Sequence, residues 1–192
     1  MFIQTEATPN DNALKFLPGR TVYPDGPVEF SGADEAAVSP LAQALFDVDG
    51  VERVFFGHDF VTVTKAGAVD WPHVKPALLG RIMDHFVAGR PVMTGPAPGA
   101  DAPASRSGSY EGETAQIVRE IEEILATRVR PAVAGDGGDI DFDRFDPETG
   151  VVYLRLRGSC AGCPSSTMTL KAGIENMLRY YVPDVTRVEQ SI

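Results

Sequence analysis

The chain has 192 residues, of which 43% are apolar, 23% charged and 8% aromatic, a globular composition that excludes disorder of the whole chain. Seventeen Lys and Arg stand against 27 Asp and Glu, a net charge of -10 with no basic run, so nucleic acid is a poor partner. There is no uncharged apolar stretch of about 18 residues to cross a membrane. Met1-Phe2-Ile3-Gln4-Thr5-Glu6 has neither the basic and apolar regions of a signal peptide nor the Arg-rich character of a transit peptide, and the expectation is a cytoplasmic chain.

In chain order, Ile3 to Thr5 and Ala13 to Leu17 read as short extended pieces around a turn, Thr8-Pro9-Asn10-Asp11-Asn12. Ser39-Pro40 starts a helix, with Ser as N-cap and Pro at the first position, and Leu41, Ala44, Leu45 and Val48 form its apolar stripe. Val51 to Phe56 and Phe60 to Lys65 flank a tight turn and predict a hairpin. A second helix is expected over Trp71 to Val87, with Val74, Leu78, Ile82 and Phe86 at spacings of four. Thr94 to Gly112 is dominated by Pro, Gly, Ala and Ser and reads as a flexible linker. Thr114 to Arg130 is amphipathic; Pro131 and the run Gly135-Asp136-Gly137-Gly138-Asp139 are expected to end it. Ile140 to Phe145 and Val151 to Arg157 predict a second hairpin around Asp146 to Gly150. A helix capped by Ser165 or Ser166 then presents Leu170, Ile174, Met177, Leu178 and Tyr181, and Val185 to Glu189 is a last strand. The expected fold is α+β in two small domains, residues 1–93 and 113–192 joined by a linker over 94–112, the second with the order α-β-β-α-β.

The only cysteines are Cys160 and Cys163, in Gly158-Ser159-Cys160-Ala161-Gly162-Cys163-Pro164. At i and i+3 before a helix, two sulfurs can point the same way, and the free N–H groups there lower thiol pKa and favour thiolate. Three chemistries suit such a pair: a redox dithiol, a zinc site or iron–sulfur ligation. A redox dithiol of thioredoxin type needs a parallel βαβ unit, whereas a hairpin precedes these cysteines. A closed metal site needs four ligands. The histidines His58, His73 and His85 all lie in the first half and read as surface residues. The missing two ligands come most simply from a second copy of the chain, across a twofold axis. Iron–sulfur and zinc both suit an all-thiolate shell.

The run Asp136-Gly137-Gly138-Asp139, then a hairpin, then Gly158-Ser159-Cys160-Ala161-Gly162-Cys163-Pro164-Ser165-Ser166-Thr167 resembles the C-terminal domain of NifU-like (Nfu-type) iron–sulfur cluster proteins over about residues 114–190. Thr8-Pro9-Asn10, Leu14-Lys15-Phe16, Ser39-Pro40-Leu41-Ala42, Phe60-Val61-Thr62-Val63 and Trp71 resemble the N-terminal domain of the Nfu branch. Asp11-Asn12 stand where that branch commonly has Pro-Asn. The resemblance implies a carrier or scaffold and not an enzyme. It implies a 4Fe-4S cluster bridged between two subunits of a homodimer by Cys160 and Cys163, passed to recipient apo iron–sulfur proteins, with cluster-assembly proteins as further partners. Gly158, Gly162 and Pro164 would shape the loop, and the Asp136 to Asp139 turn would be structural.

Overall fold

The computed structural model describes residues 2–98, 110–161 and 164–191, and only the backbone of 164–167. The fold is α+β with two domains, as expected. The first contains β1 (Gln4–Ala7), β2 (Ala13–Leu17), β3 (Val28–Phe30), α1 (Pro40–Phe46), β4 (Val51–Phe56), β5 (Val61–Lys65) and α2 (Trp71–Val87). Its five strands form one antiparallel sheet in the order β1-β2-β5-β4-β3. The Ser39 cap is formed: its Oγ accepts from Ala42 N at 3.1 Å and donates to Val92 O at 2.6 Å, so one buried hydroxyl serves a helix end and the chain leaving α2. Leu41 and Leu45 of α1 and Val74, Leu78, Ile82 and Phe86 of α2 cover one face of the sheet, meeting Phe16, Val28, Phe30, Val54, Phe56, Val61 and Val63. β3 was not foreseen; three residues give too little alternation to signal a strand.

The second domain contains α3 (Gly112–Ile124), α4 (Arg130–Gly135), β6 (Gly138–Asp146), β7 (Val151–Gly158), α5 (Pro164–Tyr181) and β8 (Arg187–Gln190). β6 pairs antiparallel with β7, and β8 lies parallel to β7 on its other side. The expected end of the helix at Pro131 is corrected. A π turn over Leu125–Val129 passes directly into α4, and Pro131 falls in the first turn of α4, so the proline is taken up at the junction of π and α turns without ending the helical run. The helical run thus continues to Gly135. The helix after the cysteines begins at Pro164, so Ser165 and Ser166 lie inside it rather than at its cap. Val118, Ile121, Leu125, Val129, Ile174 and Leu178 pack on Ile140, Val152, Leu154 and Val188. Tyr181 stays 43% exposed, with the Arg128 guanidinium 4.7 Å from its ring centre, and is not an inner-face residue. Of the stretch read as a linker, residues 99–109 lie outside the described residues; Thr94 N donates to Val38 O at 2.8 Å.

His58 and His73 are exposed, but the expectation of a surface residue fails for His85, which is 1% exposed at the end of α2. Burial and the nearby Arg90 push its pKa down, so it is a neutral core residue.

Candidate cluster site

Strand pairing builds the site. The β6–β7 register sets Gly138 opposite Gly158, which brings the turn after α4 against the loop after β7. Gly158 has φ +67, a left-handed conformation that turns the chain out of β7. Ser159 then ties the two segments together: its N–H donates to Gly137 O at 3.2 Å and its Oγ donates to Asp136 O at 2.6 Å. Ala161 N donates to Gly158 O at 3.1 Å and closes the turn around Cys160. At Gly138 a Cβ would stand 2.8 Å from Cys160 Sγ and 2.7 Å from Arg157 O, so the sulfur lies where only glycine leaves room. This gives a physical reason for glycine at position 138, in a turn distant from the cysteines in sequence.

Cys160 is 7% exposed and packs with the second core. Cys163 and Gly162 lie outside the described residues. Burial pushes the Cys160 thiol up, the Ser159 hydroxyl 3.8 Å from Sγ works against this, and the Asp136 and Asp139 charges add to the rise. The expectation of a lowered thiol pKa is therefore corrected for Cys160, which burial and the two carboxylates raise. A dithiol catalyst needs the opposite. Among the described residues no group of three or more His, Cys, Asp or Glu is arranged to hold a metal ion. Among the described residues none of the three histidines joins Cys160 in such a group.

Behind the turn, Arg130 of α4 donates through Nε to Ile140 O at 2.9 Å and pairs with Asp139 and Asp141, while Arg157 Nη2 lies 2.8 Å from Asp141. Burial dominates at Asp139 and pushes its pKa to about 6 against the pull of Arg130. A carboxyl raised in the folded state favours folding at acid pH, and that contribution fades as pH rises from about 4 through about 6. The gap from the ordinary 3.8 to about 6 corresponds to about 3 kcal/mol. Relative to Asp139→Asn, the unmodified protein should thus lose up to about 3 kcal/mol between pH 4 and pH 7.5. Urea unfolding of both at the two pH values checks this; parallel pH profiles would contradict it.

The first domain reaches the same place. In the strand register Glu6, Lys15, Thr62, Phe55 and Glu29 stand side by side across all five strands. Their neighbours along the strands, such as Phe16, Val61, Val63, Val54 and Phe56, face the helices, so this row occupies the opposite face. From it Lys15 Nζ donates to Gly135 O at 3.1 Å, Thr62 Oγ1 donates to Gly137 O at 2.7 Å, and Glu29 Oε1 accepts from Gly158 N at 3.2 Å. Asn10 Nδ2 donates to Ser159 O at 3.2 Å from the turn before β2. Asn10, Lys15 and Thr62 lie in the runs that resemble the Nfu N-terminal domain, but sequence reading gave none of the four a place at the cysteine loop. The signal available was polar side chains at alternate positions of strands whose other positions are already apolar.

Among the described residues no helix is long and apolar enough to cross a membrane. Residues 3–89 match the family described as scaffold protein Nfu/NifU N terminal, and residues 121–189 match the NifU-like domain. The human protein named NFU1 iron-sulfur cluster scaffold homolog, mitochondrial is 48% identical over 191 residues, covering 99% of this chain and 72% of that protein. NifU-like protein 4, mitochondrial, of Arabidopsis thaliana is 47% identical over 190 residues, covering 99% of this chain and 66% of that one. The solution structure of a NifU-like protein from Saccharomyces cerevisiae is 31% identical, covers 50% of this chain and 87% of that one, and superposes with a TM-score of 0.46. The expectation of a cytoplasmic location is overturned by the relatives, which are named mitochondrial. It rested on the composition of six residues, and this chain spans only about two thirds of the Arabidopsis relative (66%), so those residues are no guide to an address. Matched across both domains and 48% identical to a relative along nearly its whole length, the chain belongs to the Nfu/NifU family of scaffold proteins.

Proposed function

We propose that two copies of this chain share one four-iron four-sulfur cluster, held by Cys160 and Cys163 of each, and hand it to recipient apo-proteins. Support comes first from the donor set: the only two cysteines of the sequence stand at i and i+3 in one loop. Soft thiolates suit iron–sulfur clusters, and a chain with two of them needs a second copy to complete four ligands. The relatives named as iron–sulfur cluster scaffolds support the same cargo. The unit that holds it is residues 113–192, linked through 94–112 to residues 1–93. The protein acts as a carrier and not as a catalyst.

The residues divide the work simply. The cysteine sulfurs bind the cargo, Gly158 and Ser159 set the loop, and the turn at Gly137 and Gly138 leaves space for the Cys160 sulfur. Ligation removes the thiol protons, so cargo uptake releases protons and weakens at acid pH. A site split between two chains comes apart more readily than one built on a single chain, which suits a protein that gives up what it holds.

Anaerobic reconstitution with ferrous iron and sulfide, followed by mixing with an apo acceptor that has four cysteines of its own, tests the reading. Broad visible charge-transfer absorbance should develop, and the iron should move to the acceptor. A colourless zinc protein, or a cluster that never transfers, would contradict it.

A further inference from the structure

We propose that the first domain is a clamp on the cysteine loop, and that it must lift away before Cys160 can be reached from outside. The inference goes beyond cluster binding but rests on that reading for its purpose. It starts from the row Lys15, Thr62, Phe55 and Glu29 on the sheet face that α1 and α2 leave uncovered. The row does not face solvent: Lys15 is 7% exposed, Thr62 1% and Phe55 1%. What covers it is the turn at residues 135–138 and the backbone of Gly158 and Ser159 that leads into Cys160.

Four bonds hold that backbone from the first domain. Thr62 and Lys15 take the carbonyls of Gly137 and Gly135, Asn10 takes the carbonyl of Ser159, and Glu29 takes the N–H of Gly158. Phe55 fills the space over Gly158, where a Cβ would stand 3.2 Å from its Cδ1. Residues 158 and 159 lead directly into Cys160, whose side chain is buried. A sulfur that bridges a cluster to a second chain has to face that chain. To turn Cys160 outward, residues 158–159 must move, and their movement breaks the Asn10 and Glu29 bonds. The closed form is therefore the cluster-free form, and docking of the first domain competes with a second copy for the loop.

Alkylation of Cys160 by iodoacetamide tests this, in protein carrying Cys163→Ser so that one thiol reacts. Thr62→Val and Glu29→Gln keep side-chain shape while removing a clamp bond or its charge, and each should speed labelling about tenfold. Circular dichroism confirms that both are folded. In the protein with both cysteines, the Gly158 and Ser159 amides should exchange hydrogen slowly before cluster loading and faster after it. Unchanged labelling in folded variants, or a Gly158 amide that exchanges freely in the cluster-free protein, would overturn the clamp. Faster labelling of these variants, together with failure of the protein that keeps both cysteines to take up a cluster, would uphold the clamp and overturn the carrier reading, so the two fail separately.

Discussion

Cys160→Ser and Cys163→Ser should each lower bound iron and sulfide more than tenfold after reconstitution, because a hard hydroxyl replaces a soft thiolate and two ligands are lost from every dimer. The Cys160 variant should also lose stability. Cys160 is 7% exposed within the second core, so its serine variant buries a hydroxyl in place of a sulfur and should cost about 1–3 kcal/mol. Iron and sulfide analysis with urea unfolding checks both halves of the prediction. A serine variant that keeps a full cluster would remove that residue from the ligand set.

Gly158→Ala should be among the most damaging single changes in the second domain. At φ +67 any L side chain is strained, by about 1–2 kcal/mol. The added methyl would also stand 2.7 Å from Gly137 O and 2.8 Å from Gly138 Cα, where backbone must give way. Overpacking of that kind costs about 1–3 kcal/mol more. Gly19→Ala supplies the comparison, since Gly19 has φ +71 and nothing within 4 Å of its missing Cβ. Gly158→Ala should therefore lose about 2–5 kcal/mol and Gly19→Ala only the strain. Equal losses in urea unfolding would mean that the turn and the loop are not packed as described.

Periodicity made most elements legible. The apolar spacing of Val74, Leu78, Ile82 and Phe86 gave α2 its limits, and Ser39-Pro40 marked the start of α1, because cap chemistry is local. Pro131 misled because a π turn directly before it lets the helical run continue through the proline, and no local pattern announces such a turn. His85 misled because a polar residue next to Phe86 at the end of an amphipathic helix does not show which way it points. The cysteine pair was legible as a chemical motif. What surrounds it was not, because Thr62, Lys15 and Glu29 reach the loop only through five-strand register and domain contact, which no window of sequence contains. Thr8-Pro9-Asn10 stood out as a family motif, and its physical role is the Asn10 contact to Ser159 O.

The sharing of one cluster between two chains is the central claim, and sedimentation of the protein before and after anaerobic reconstitution tests it most directly. Without cluster, two chains at -10 each repel and each domain covers its own core, so the protein should sediment as a monomer. With cluster it should sediment as a dimer carrying one four-iron cluster per two chains, since only the dimer presents four thiolates. A reconstituted protein that stays monomeric with four irons and no small-thiol ligands would contradict the account.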